Sequence, residues 1–176
     1  MGKPNVGKSS LLNAIIGKDR AIVTPIPGTT RDAIEELYLI EGLPFRFVDT
    51  AGIHESQNDI EKIGIEKTKK YLEEAHLVIV TFDRSQELES EDYKIVDLVR
   101  KKPHILVLNK SDLTSKIEKK EINQLYPGEQ VIEISALSGE GIDRLMDTII
   151  EKVKIIKENY DEDYVAINLR QQNELL

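Results

Sequence analysis

Gly2-Lys3-Pro4-Asn5-Val6-Gly7-Lys8-Ser9 fits the pattern G-x-x-x-x-G-K-S without a mismatch, and few stretches of eight residues restrict a fold so tightly. Such a loop turns its successive N–H groups onto one anion, which needs backbone angles that a Cβ forbids, hence the two glycines. The helix that follows then points its positive end at the same anion. Lys8 would neutralise the outer phosphates of a nucleotide, with Asn5, Val6, Gly7 and Ser10 completing the cradle. The Ser9 hydroxyl is a hard oxygen ligand suited to a magnesium ion that bridges those phosphates. The pattern arises by accident in about one chain in a hundred of this size, so the flanking structure decides its meaning. Leu11, Leu12, Ile15 and Ile16 supply the apolar face of the following helix.

Further along, Lys18 to Arg31 carries Pro25, Pro27 and Gly28 without a usable period and reads as a loop. Ala33 to Ile40 is extended in character, Glu41-Gly42-Leu43-Pro44 turns, and Phe45 to Val48 runs out again, which predicts a hairpin. Ile60, Ile63, Ile65, Thr68 and Leu72 predict an amphipathic helix ending near Ala75. Strands and helices then alternate: strand His76 to Phe82, helix Glu91 to Arg100, strand Ile105 to Leu108, helix Ile117 to Leu125, strand Val131 to Ile134, and a long helix from Ile142. Short continuous apolar strands separated by helices predict an α/β domain, its sheet mostly parallel with helices on both faces and one antiparallel edge strand. The expected domain spans residues 1–158, and residues 159–176 form a tail leading toward a helical domain. In such a sheet the strand entering the phosphate loop is central. No residues supply it ahead of Gly2, so the expectation is a domain lacking its first strand, with two neighbours left holding unpaired backbone groups.

Sheets of this kind bind ligands at the carboxyl ends of their strands. The distinctive motifs fall there: Asp49-Thr50-Ala51-Gly52, Asn109-Lys110-Ser111-Asp112, and Ser135-Ala136-Leu137. In D-x-x-G, Asp49 can hold a magnesium-bound water and Gly52 can offer its N–H to a γ-phosphate. In N-K-x-D, the Asp112 carboxylate can accept two hydrogen bonds from the N1–H and exocyclic amine of guanine, a donor pair that adenine lacks. Asn109 and Lys110 brace and cover the ring. The net charge of -8 and the lack of a basic run argue against a direct nucleic-acid surface. Without cysteine there are no disulfides, thiolate catalysis or cysteine zinc sites, which fits a cytoplasmic protein, and no apolar run is long enough to span a membrane. His54, His76 and His104 share no metal-ligand spacing and read as surface or strand-start residues; Glu87, Glu89, Glu91 and Asp92 read as a solvated loop and helix start.

In order and spacing, these motifs resemble translation-factor-class GTPases of the P-loop superfamily. Gly28-Thr29-Thr30-Arg31-Asp32 followed by D-T-A-G is similar to the MnmE (TrmE) family and its relatives Der and Era. Ile60-Glu61-Lys62-Ile63-Gly64-Ile65-Glu66 and the tail Asn168-Leu169-Arg170-Gln171 resemble MnmE in particular. The resemblance implies a GTPase that binds GTP and GDP with Mg2+ and K+. It implies magnesium on Ser9, Thr30 and Asp49, and potassium on Asn5, Thr24, the Ile26 carbonyl and Thr29, with Pro25 a departure from the usual residue. Where a Ras-like enzyme carries a water-orienting glutamine after D-T-A-G, this chain has Ile53, whose side chain cannot hydrogen-bond. Glu61 aligns with the family's catalytic glutamate, although an acid there also suits a helix start. Lys8 and Gly52 complete the expected catalytic set, and Arg31, beside Asp32, reads as an anchor of the first switch.

The same resemblance implies G-domain homodimerisation across the switches during hydrolysis. It also implies a flavoprotein partner of the MnmG (GidA) type in modifying the wobble uridine of transfer RNA. The family's folate-binding domain and C-x-G-K motif lie outside this chain, so that modification is not its work alone. Two alternatives stay open: a guanine-nucleotide-binding scaffold or switch module with little turnover, and a ribosome-assembly GTPase of the Der or Era kind.

Overall fold

The computed structural model describes residues 1–18, 21–24, 37–48 and 70–159. Its elements run α1 (Lys8–Ile16), β1 (Ala21–Thr24), β2 (Leu37–Ile40), β3 (Leu43–Arg46), β4 (Val78–Asp83), α2 (Ser90–Val99), β5 (His104–Asn109), α3 (Lys119–Leu125), β6 (Val131–Glu133) and α4 (Ile142–Asn159). Residues 70–74 are also helical.

β4, β5 and β6 form a parallel sheet in that order, with Val78 opposite His104 and Leu106 opposite Val131. Alternation along β5 separates two cores. Ile105 and Val107 face Leu11 and Ile15 of α1 and Leu145, Met146 and Ile149 of α4. Leu106 and Leu108 face Ile95 and Val99 of α2 and Ile122 of α3. A strand covered on both sides has no polar face, which is why β5 reads His-Ile-Leu-Val-Leu-Asn without alternation. Each of these side chains contributes about 1.5–3 kcal/mol by leaving water. Together the helices on the two faces hold the carboxyl ends of the strands at one edge, where the N-K-S-D and S-A-L turns lie.

The second sheet, β1-β2-β3, is antiparallel throughout. Its β2–β3 hairpin turns on Glu41 (φ 50°) and Gly42 (φ 79°), the paired positive angles that suit the right-handed twist of two strands joined by two residues. β1 corrects the sequence reading, which places a loop over Lys18 to Arg31. Ala21-Ile22-Val23-Thr24 is a β-branched run too short to show a period, and it gains its order from pairing with β2, Ala21 opposite Ile40 and Thr24 opposite Leu37. The antiparallel part is a sheet of three strands.

Among the described residues no strand lies between β3 and β4. Met1 pairs with β4 there: its amino group donates to the Ile79 carbonyl, and the Thr81 N–H donates to the Met1 carbonyl at 2.8 Å. That is the bonding of one rung of a parallel ladder opposite Val80, and it fixes the entry to the phosphate loop.

Candidate functional site

The phosphate loop takes the form its sequence requires. Asn5 (φ 62°) and Gly7 (φ 92°) are left-handed, α1 starts at Lys8, and the Leu11 N–H closes its first turn on the Gly7 carbonyl at 2.8 Å. Lys8 folds back over the loop, its Nζ donating to the carbonyls of Gly2 at 2.8 Å and Lys3 at 2.6 Å. An ammonium held this way sits over the first turn of a helix whose own amides are directed at the same space. Ser9 and Ser10 are exposed in that turn, and Asn5 is exposed beside it.

Asn109 joins this loop to the other two motifs. Its Nδ2 donates to the Val6 carbonyl at 2.9 Å, and its Oδ1 accepts the Ala136 N–H at 3.0 Å. The residue is 2% exposed and its bond to Val6 is buried, where leaving a partner unmade costs most. Gly7 is required here twice over, by its left-handed φ and because a Cβ would collide with the Asn109 amide. Asn109 is thus the clasp of the site as well as the end of β5.

Two residues on, Asp112 is exposed and its Oδ1 accepts the Ser135 hydroxyl at 2.5 Å. Ser135 is fully buried, and its Oγ accepts the Ser138 N–H at 3.1 Å, so the S-A-L turn and the N-K-S-D turn brace each other. The Ser111 N–H adds a bond to the Ile134 carbonyl at 2.9 Å. One bond fixes the orientation of the carboxylate, which is otherwise exposed. Leu137 projects beside it, 88% exposed.

Lys110, left-handed at φ 66°, places its Nζ 2.5 Å from Asp83 Oδ2. Burial pushes the Asp83 carboxyl upward, but hydrogen bonds from Lys110 and Ser85 outweigh it and hold the group below the usual carboxylate range. A second ion pair, with a buried acid, grips the phosphate loop: Lys3 Nζ lies 2.7 Å from Asp92 Oδ2, which also accepts the Glu89 N–H at 2.8 Å. Burial would lower the Lys3 ammonium, yet its bonds to Asp92 and Glu89 raise it overall. Asp92 corrects the reading of an acidic solvated cluster, being 2% exposed at the start of α2.

The structure therefore assembles Asn5, Val6, Gly7, Lys8, Ser9, Ser10, Asn109, Lys110, Asp112, Ser135, Ala136 and Leu137 at one edge of the parallel sheet. Thr24 closes β1. Ile26, Thr29, Thr30, Arg31, Asp49, Gly52, Ile53 and Glu61 lie outside the described residues. Among the described residues no three His, Asp or Glu side chains cluster as a metal site. Asp83, Lys3 and Asp92 escaped the sequence reading. Asp83 carries the signal that found the others, an acid at the carboxyl end of a parallel strand.

A protein family described as 50S ribosome-binding GTPase matches residues 1–110. The tRNA modification GTPase MnmE of Natranaerobius thermophilus is 48% identical over 153 residues, 87% of this chain and 33% of that protein. The protein of the same name from Thermoanaerobacter sp. is 46% identical over 176 residues, 100% of this chain and 38% of that one. The chain thus spans 33–38% of the length of these curated relatives. Among solved structures, Aquifex aeolicus Era bound to GDP.AlF4- matches with a TM-score of 0.64 and 34% identity, over 86% of this chain and 54% of that one.

Proposed function

The chain belongs to the 50S ribosome-binding GTPase family, and on that premise we propose that it is the GTP-hydrolysing domain of a tRNA-modification enzyme. The observation that carries the reading is the clasp at Asn109. One side chain ties the phosphate-binding loop at Val6 to the S-A-L turn at Ala136, so the groups suited to phosphates and those suited to a base are held in one frame. Asp112, fixed by Ser135, presents its carboxylate to the N1–H and exocyclic amine of guanine. Lys8 and the amides of the first turn of α1 receive the phosphates.

The residues fit a magnesium ion in part: Ser9 offers an exposed hydroxyl in the first turn, a hard donor of the right chemistry, with Thr30 and Asp49 proposed to join it. Asn5, Thr24, Ile26 and Thr29 are all oxygen donors, which supports a potassium site beside the loop. When bound, the two cations supply positive charge against the phosphate oxygens as the γ-phosphoryl group leaves. Glu61 orients the attacking water in place of the glutamine that Ile53 cannot replace, and Gly52 offers its N–H to the γ-phosphate. The names of the relatives support a transfer-RNA role; pairing of two G domains across the switches, a flavoprotein partner of the MnmG type and a cytoplasmic setting belong to the same proposal. Among the described residues no helix is long and apolar enough to cross a membrane.

The test is nucleotide choice. The purified chain should bind GDP with magnesium and release phosphate from GTP, and Asp112→Asn should move its preference from guanosine toward xanthosine nucleotides. A variant that keeps the wild-type preference would remove Asp112 as the base reader and the guanine assignment with it.

A further inference from the structure

Asp83 ends β4 as a carboxylate only 7% exposed, and hydrolysis as described above gives it no part. Its placement is built from several directions. Oδ1 accepts both the Ser85 N–H at 2.8 Å and the Ser85 hydroxyl at 2.7 Å, which leaves Oδ2 for the Lys110 ammonium at 2.5 Å. The same strand end also grips the N-K-S-D turn through the main chain. The Arg84 N–H donates to the Asn109 carbonyl at 2.9 Å, and the Arg84 guanidinium reaches the Ser111 carbonyl at 3.4 Å. Lys110 meanwhile holds a left-handed backbone that disfavours any residue with a Cβ.

Lys110 is consequently pinned at both ends, at its Cα by the turn and at its Nζ by Asp83. A lysine whose two ends are fixed has its apolar stem ordered between them. It lies two residues from Asp112, the group that meets the edge of the base. We propose that Asp83 is a positioning residue for base recognition: it anchors the Lys110 ammonium so that the lysine stem forms a standing platform for the face of the purine while Asp112 reads its edge. The proposal rests on the guanine-nucleotide reading. The energetic logic is preorganisation. A lysine side chain is costly to immobilise, and a lysine already held by Asp83 need not be ordered when the nucleotide arrives.

The test is a double-mutant cycle on the chain, read by titration with fluorescently labelled GDP and by competition with unlabelled GDP and inosine diphosphate. Asp83→Asn should weaken GDP about tenfold, the factor expected when one long side chain must be ordered at binding. It should weaken inosine diphosphate equally, because a platform touches the ring face and not the exocyclic amine. In a Lys110→Met background the same change should have no further effect. Unchanged GDP affinity in Asp83→Asn, or an equal loss with and without Lys110, overturns the proposal. Should Asp83→Asn unfold below the assay temperature, Asp83→Glu replaces it. That change moves the anchor by one methylene, and it should weaken GDP by about twofold to threefold, a smaller share of the same ordering cost; wild-type affinity would again overturn the proposal. A wild-type chain that binds no GDP is a separate result, which sinks the guanine-nucleotide reading itself.

Discussion

Asn109→Ala is the most informative single change. It removes the donor to the Val6 carbonyl and the acceptor of the Ala136 N–H, and it does so at a residue 2% exposed. Val6 is itself 2% exposed, so its carbonyl has little access to water as a replacement partner. Each bond contributes about 1 kcal/mol net, and an orphaned buried group costs about 1–3 kcal/mol, which places the loss near 2–4 kcal/mol. For a domain of this size each kcal/mol lowers the melting temperature by about 2–4 °C, so a fall of roughly 5–15 °C is expected. The assay is a thermal melt with and without excess GDP. Ligand that binds only the folded state raises the midpoint according to its concentration over its dissociation constant. Wild type should show that rise, and Asn109→Ala should lose most of it, because the phosphate loop and the S-A-L turn no longer share an anchor. A variant with reduced stability but the full GDP-induced rise would refute the clasp, leaving Asn109 as ordinary core.

Other outcomes follow from the same geometry. Gly7→Ala should abolish detectable GDP binding by titration, since the residue is left-handed and its Cβ would meet the Asn109 amide; near-normal binding would mean that the loop can re-form around a side chain. The Lys3 ammonium is raised in the folded chain, so its contribution to stability is complete below the unfolded lysine value of about 10.4 and is lost as pH rises through the folded value. Denaturant unfolding of wild type and Lys3→Met should therefore differ at neutral pH and converge only at strongly alkaline pH; a gap that closed on acidification instead would contradict the pairing with Asp92. Phosphate release from GTP should be faster in potassium than in sodium and fall about a hundredfold in Glu61→Ala, and equal rates in the two salts would end the potassium assignment.

Much of this was legible because the chemistry of each motif restricts residue type. G-x-x-x-x-G-K-S, N-K-S-D and S-A-L were each read from single residues, and the buried strands β4, β5 and β6 from their unbroken apolar runs. β1 was not legible, because four residues followed by prolines carry no period and its order comes from β2, a partner distant in sequence. Asp92 failed for a related reason. In sequence it is one acid among several, and only Lys3, eighty-nine positions earlier, distinguishes it as the buried member of the cluster. The role of Asn109 as clasp was also hidden, since its partner Val6 lies 103 residues away. Local pattern reports what a residue can do, while long-range pairing selects which one does it.

The phosphate loop shows what that selection achieves. It is held by three neighbours of different kinds: β4 through the Met1 carbonyl, α2 through Lys3 and Asp92, and β5 through Asn109 and Val6. Lys3 does two jobs, its ammonium tied to α2 and its carbonyl receiving Lys8. A loop anchored only by its own backbone would have to be ordered by the anion it binds, and the cost of that ordering would come out of the affinity. Anchored from three sides, the loop holds its amides and the Lys8 ammonium in place before any ligand arrives. The two anchors made by side chains, Asp92 and Asn109, reach it from different elements, α2 and β5. A displacement of α2 would therefore reach the loop through Lys3, while the N-K-S-D turn stays with β5.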